Sequence, residues 1–237
     1  MIFRQLSDPE TCTYTYLLGD EASGQAVLID PVLSQASRDC QVLRELGLAL
    51  THTIETHVHA DHVTGAAALR QTCGSRIVSP QAGGATGADL LIEDGTVLTL
   101  GSVSLLARAT PGHTTGCTSF ILGDESMVFT GDALLIQGCG RTDFQQGDST
   151  KLYHSVTEVL FALPEDCVVY PGHDYKGRQS STIGEEKRHN PRLGGGRTLE
   201  EFIEIMHLLD LSLPAAIAIA IPANLRCGQM PEDGEPA

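Results

Sequence analysis

Residues 56–62 read Thr-His-Val-His-Ala-Asp-His, which puts three imidazoles and a carboxylate within six positions. Neither a helix nor a strand gains from that composition, and His and Asp together are poor core material. Farther along come Thr110-Pro111-Gly112-His113, Thr130-Gly131-Asp132 and Tyr170-Pro171-Gly172-His173, each with a His or Asp at a glycine-punctuated turn. A chain with this series needs a scaffold that gathers several loops at one rim. The donor types at those turns point to a bound metal.

The 237 residues suffice for a full hydrophobic core in one large domain or in a two-layered domain built from repeats. A formal charge of −15 argues against a nucleic-acid partner, since phosphate binding needs a basic face. An anionic substrate would be repelled at long range, so a local Arg or a metal must capture it. Met1 to Leu6 shows no basic segment followed by an apolar core, so no signal peptide is expected. The longest apolar stretch, Leu213 to Ile221, contains Pro214 and is too short for a bilayer span, so no membrane role is expected. Seven cysteines, widely spaced and without a C-x-x-C, rule out a zinc ribbon. They read as reduced thiols in a cytoplasmic protein.

Short β-rich runs at Ile2 to Leu6, Tyr14 to Leu18 and Ala26 to Ile29 are broken by Asp, Gly and Pro and read as strands. Ser34 to Leu46 has helical apolar spacing with Gly47 behind it. Thr51 to Thr56 reads as a strand that delivers His57 at its end, followed by a helix over Gly65 to Cys73 and a strand over Arg76 to Ser79. From Thr96 to Phe129 the pattern turns to hairpins. Asp148 or Ser149 caps a helix to about Leu163, Val168 to Tyr170 is a strand, and Thr198 to Leu209 is an amphipathic helix. The elements fall into two β-then-α halves, without a Pro- or Ser-rich linker.

On residue types alone, His57, His59, His113 and Asp132 with Asp61, His62 and His173 could hold two metal ions bridged by Asp132 and activate a water for hydrolysis. His52, His154, His189 and His207 lie outside these turns and read as surface or packing residues.

The H-x-H-x-D-H spacing with the later T-P-G-H-T and T-G-D resembles the metallo-β-lactamase superfamily over nearly the whole chain. That resemblance implies an α/β fold, a four-layer αββα sandwich with mixed sheets and the metal at one edge. The absence of a Pro- or Ser-rich linker makes the chain a single domain, 1–237, with a C-terminal extension from about 198 expected to close the pocket. Three further blocks narrow the match: Thr130 to Phe144, with its Gly138-Cys-Gly-Arg-Thr-Asp-Phe144, then Tyr170 to Tyr175, then Pro222 to Gly228. These resemble the persulfide dioxygenases of sulfide oxidation.

The narrower resemblance implies one Fe(II) per chain, held by His57, His113 and Asp132. Two histidines and one carboxylate leave neighbouring positions open, which a closed zinc site does not. It implies glutathione persulfide and O2 as substrates, with sulfite and glutathione as products. His59, Asp61, His62 and Asp174 then orient ligands and shape the pocket, and His173 and Tyr175 are candidate catalytic groups, Tyr175 as a hydrogen-bond donor beside the metal. Arg141 anchors either the glutathione carboxylates or a neighbouring Asp such as Asp174. Asn224, Arg226 and Cys227 are candidate substrate contacts on a C-terminal strand end that closes the pocket, with a buried inert thiol the alternative for Cys227. The resemblance leaves room for a homodimer and for a separate rhodanese or sulfide:quinone oxidoreductase in the pathway. The rival reading is a dinuclear zinc thioester hydrolase resembling glyoxalase II. β-Lactam hydrolysis and a non-catalytic binding role fit less well, the first for want of a secretory signal and the second because the ligand set is intact.

Overall fold

The computed structural model describes residues 1–230. These form two compact units, one of Met1–Ile92, Thr99–Val103 and the residues from Leu213, the other of Glu93–Leu98 and Ser104–Ser212.

The first unit holds a six-stranded mixed sheet in chain order: β1 (Ile2–Asp8), β2 (Thr13–Asp20), β3 (Gln25–Ile29), β4 (Ala49–Ile54), β5 (Arg76–Pro80) and β6 (Leu90–Ile92). β1 to β3 run antiparallel, as short loops allow, and β3 to β6 run parallel. Helices α1 (Ala36–Glu45) and α2 (Ala66–Cys73) make the first two parallel crossovers. Leu43 of α1 and Leu69 of α2 pack with Leu17, Leu28 and Leu50 of the sheet. Burying each such leucine contributes about 2 kcal/mol.

β4 ends at Ile54, and residues 55–64 form an irregular loop rather than two more residues of strand. His57 therefore sits in this loop and not at the strand's last position. The chain from Leu213 forms a helix, α6 (Ile217–Leu225), where a strand end was expected. Its Ile-Ala alternation mimics the two-residue period of a strand. Its Ala-rich run suits a helix, however, and Pro222 inside it removes one donor.

The second unit holds most of the other six-stranded sheet, ordered β12-β11-β10-β9-β8-β7, from β7 (Val97–Leu100), β8 (Val103–Ala109), β9 (Thr118–Leu122), β10 (Met127–Gly131), β11 (Val168–Pro171) and β12 (Ser181–Thr182). α3 (Ser149–His154), capped by the Asp148 side chain on the Lys151 amide, continues as a wider helical turn over Ser155–Leu160 and links the parallel pair β10 and β11. α4 (Ile183–His189) had no signal in the sequence reading. α5 (Leu199–His207) starts with a capping box between Thr198 and Glu201 and packs Phe202 and Met206 into a core with Leu134, Leu152 and Val156. Among the described residues no helix is long and apolar enough to cross a membrane.

Candidate metal centre

In the first unit the His-rich loop leaves β4 beside the end of β3, where Asp30 has a left-handed backbone at φ 50°. The buried Asp30 carboxylate accepts the Thr56 amide at 2.7 Å and the Thr56 hydroxyl at 2.7 Å. Since the Thr56 hydroxyl gives its proton to Asp30, it must accept at 2.9 Å from Nδ1–H of His57. That fixes the His57 tautomer and leaves Nε2 as the nitrogen that could take a metal. Asp30 and Thr56 are functional residues that the sequence reading missed, and Asp30 is separated from His57 by 27 positions with no motif linking them.

The His59 ring lies between those of His57 and His62, with centroids at 4.1 and 4.4 Å. Its Nε2 is 3.1 Å from Asp30 Oδ1 and 3.5 Å from Glu55 Oε2. Burial disfavours a charge on His59, but Asp30 and then Glu55 outweigh it and push the imidazole up to about 10. The Glu55 carboxyl is raised, chiefly by burial, and it accepts the Thr64 hydroxyl at 2.6 Å. Asp61 receives Nδ1–H of His62 at 2.9 Å. Asp30, Glu55 and His59 form one group of ligand-type side chains, and His59, Asp61 and His62 another, each with its donor atoms within 4.8 Å.

Asn224 of α6 is buried against this loop. Its amide donates to the carbonyls of His59 and His62 at 2.9 and 2.8 Å and accepts the Thr64 amide at 2.9 Å. Both N–H groups are therefore committed to the loop, and Asn224 acts as a clamp on it rather than as a substrate contact. Cys227 is buried beside Ala66, Ile77 and Ala85, and burial pushes its thiol up to about 11. That is the environment of an inert cysteine.

In the second unit the register of β10 shifts between Phe129 and Gly131, and this irregularity presents Asp132 at the strand's end. Asp132 Oδ1 accepts Nδ1–H of His173 at 2.7 Å. Its other oxygen is 3.7 Å from Nε2 of His113. Two donors on one metal at about 2.1 Å each cannot be more than about 4.2 Å apart, so this separation fits a shared ion. Nδ1–H of His113 donates to the Arg141 carbonyl at 2.7 Å, which again makes Nε2 the nitrogen that could take a metal. Two glycines make the approach feasible. A Cβ on Gly140 would lie 2.5 Å from the Asp132 carbonyl oxygen and 2.8 Å from the His113 ring, and one on Gly172 would lie 2.7 Å from Asp132 Oδ1.

The Arg141 guanidinium is bidentate to Asp143, both bonds at 2.6 Å, and also donates to the carbonyls of Ser212 and Leu211 at 2.6 and 2.9 Å. Its acidic partner is thus Asp143 and not Asp174. It lies 4.8 Å over the ring of Phe144, which meets His113 edge-on. Asp174 instead holds Arg178. Burial opposes its ionisation, but the Arg178 side chain and the Arg178 and Lys176 amides bring its carboxyl below the usual range. Tyr175 stacks on His173 and is 71% exposed as a residue, far more than expected of a pocket donor.

Buried imidazoles whose Nδ1–H is taken, next to a buried carboxylate with one oxygen engaged, form a donor set suited to a divalent transition metal. The chain belongs to the metallo-beta-lactamase superfamily, whose profile matches residues 11–173. Human mitochondrial persulfide dioxygenase ETHE1 is 54% identical to it over 96% of this chain and 89% of its own length. The crystal structure of ETHE1 from Myxococcus xanthus superposes with a TM-score of 0.93 at 54% identity, over 97% of this chain and 100% of that one. A hydroxyacylglutathione hydrolase from Cereibacter sphaeroides is 36% identical over 68% of this chain and 62% of its own length. Within the superfamily, the chain is a member of the persulfide dioxygenase family, a group of oxidoreductases.

Proposed function

We propose that this chain oxidises glutathione persulfide with O2 at a single iron held by His57, His113 and Asp132. The balanced reaction takes one persulfide, one O2 and one water to one sulfite and one glutathione. The observation that carries the reading is how these three side chains are presented. His57 gives Nδ1–H to Thr56, His113 gives Nδ1–H to Arg141, and Asp132 takes Nδ1–H of His173, and these bonds fix how each side chain is held. What iron supplies when bound is the one-electron chemistry by which ground-state O2 reacts with a sulfur lone pair.

The remaining histidines serve this arrangement. His59, which a site with three histidines on one ion would need, has its Nε2 turned to Asp30 and Glu55. His62 is oriented by Asp61, and His173 by Asp132. Arg141 fixes the segment whose carbonyl orients His113, with its fork closed on Asp143. Tyr175, stacked on His173, and Arg226 are the groups assigned to the substrate in this reading. Seven free cysteines agree with a reducing compartment such as the cytoplasm.

The test is metal analysis of protein purified without added metal, together with oxygen uptake on glutathione persulfide. About one iron per chain with oxygen consumption is expected. Two zinc ions, no oxygen uptake and cleavage of a glutathione thioester would assign the chain to hydrolase chemistry instead.

A further inference from the structure

Cys40 of α1 and Cys73, the last residue of α2, bring their sulfurs to 3.4 Å. Both belong to the first unit, away from the histidine loop, and nothing in the proposed chemistry uses them. Cys40 is half-buried at the edge of the first unit's leucine core, and Cys73 is exposed. α2 ends there on Gly74, whose left-handed backbone at φ 73° turns the chain away and leaves the Cys73 side chain open. Both thiols border a groove of about 720 Å³, lined also by Leu33, Ala36 and Arg44, which admits a small molecule to the pair. Arg44 is anchored by its Nε on the Cys40 carbonyl at 3.2 Å, and its charge only partly offsets the burial and the Cys40 thiol that raise the Cys73 thiol.

From this geometry we infer that Cys40 and Cys73 form a reversible disulfide by exchange with low-molecular-weight disulfides such as oxidised glutathione. The electrons balance in two displacements. One thiolate of the pair attacks the small disulfide and forms a mixed disulfide, and one glutathione leaves as thiol. The second thiolate then attacks the protein sulfur of the mixed disulfide, so that the Cys40–Cys73 bond forms and the second glutathione leaves. In sum the two protein thiols are oxidised and one small disulfide is reduced to two thiols. Bond formation needs the sulfurs to close from 3.4 Å to about 2.05 Å. Burial and the neighbouring Cys40 thiol hold the Cys73 thiol up at about 11, so the exchange quickens as pH rises.

The cross-link would close a loop of about 33 residues that contains the whole histidine segment 56–64, and a bond of that span raises the melting temperature of a chain this size by roughly 10 °C. The experiment exposes the metal-loaded full-length protein to oxidised glutathione and follows it by intact mass, peptide mapping and thermal unfolding. The expected product has lost two hydrogens, carries no glutathione, maps to a Cys40–Cys73 peptide, melts higher, and returns to the starting mass with excess reduced glutathione. Cys40→Ser and Cys73→Ser, tested separately, should yield no internal disulfide, and at least one should accumulate a lasting mixed disulfide with glutathione. A lasting glutathione adduct on the unmodified chain, or both thiols remaining free at oxidised-glutathione levels that modify a single variant, would overturn the assignment. Because the readouts are mass and melting temperature, they stand apart from whether the iron reading holds.

Discussion

His113 gives its Nδ1–H to the carbonyl oxygen of Arg141 at 2.7 Å, and the same residue's guanidinium grips Asp143 and the carbonyls of Leu211 and Ser212. One residue thus orients through its backbone the imidazole proposed to hold the metal, and fixes that backbone through its side chain. The Arg141 side chain is only 12% exposed, and four of its five N–H donors are engaged by protein.

Arg141→Ala should therefore act through His113. The expectation is a drop of roughly 10- to 100-fold in iron affinity or kcat, with KM for glutathione persulfide little changed. Arg141→Lys should recover little, because a point charge cannot reproduce the bidentate fork. A rise in KM at full iron occupancy and unchanged kcat would move Arg141 to the substrate.

The Asp30–Thr56–His57 relay makes a second case. Thr56→Val keeps the shape but leaves Nδ1–H of His57 without its acceptor, so the ring loses the bond that sets its tautomer. Iron should be lost to a chelator roughly 10- to 100-fold more readily, and Thr56→Ser should restore retention. Equal retention in the Val variant would show that His57 needs no such support.

Asn224→Ala strips three backbone groups of the histidine loop of their partner inside a buried site. A loss of about 3 kcal/mol in urea unfolding is expected, since each orphaned buried group costs 1 kcal/mol or more. Asn224→Asp should be nearly as damaging, because a carboxylate cannot donate to the His59 and His62 carbonyls. Unchanged stability in the Ala variant would mean that water replaces the clamp without loss.

Cys227→Ser should leave kcat and KM for glutathione persulfide unaltered, as its thiol is buried among apolar side chains and held up at about 11. A large kinetic change without loss of iron would put the thiol in contact with substrate.

Asp20 supplies a pH signature. Hydrogen bonds from the Ser102 hydroxyl at 2.6 Å and from Ser23 bring its carboxyl down to about 2 from 3.8. Its folded-state value lies below the unfolded one, so its contribution to stability is full above about pH 4 and fades as pH falls toward 2. The unfolding midpoint of Asp20→Asn should fall less steeply than that of the parent between pH 4 and 2. Parallel curves would remove Asp20 from the acid response.

The sequence by itself determined the class of site and most of the elements. The H-x-H-x-D-H run and the Gly-flanked His113, Asp132 and His173 announce metal donors because such groups have no other reason to recur at tight turns. Most strands and the helices ending at Cys73 and near Leu209 show in local periodicity and capping, which depend on near neighbours alone. Only the tertiary structure decided the roles of the supporting residues. Asp30 orients His57 through Thr56, Asn224 clamps a loop some 160 positions away, and Arg141 closes on Asp143 while its carbonyl holds His113. Cys40 and Cys73 meet because two crossover helices lie side by side. Hydrogen bonds of this kind are set by which strand ends and helices share a neighbourhood, and a linear pattern of residue types does not encode that proximity.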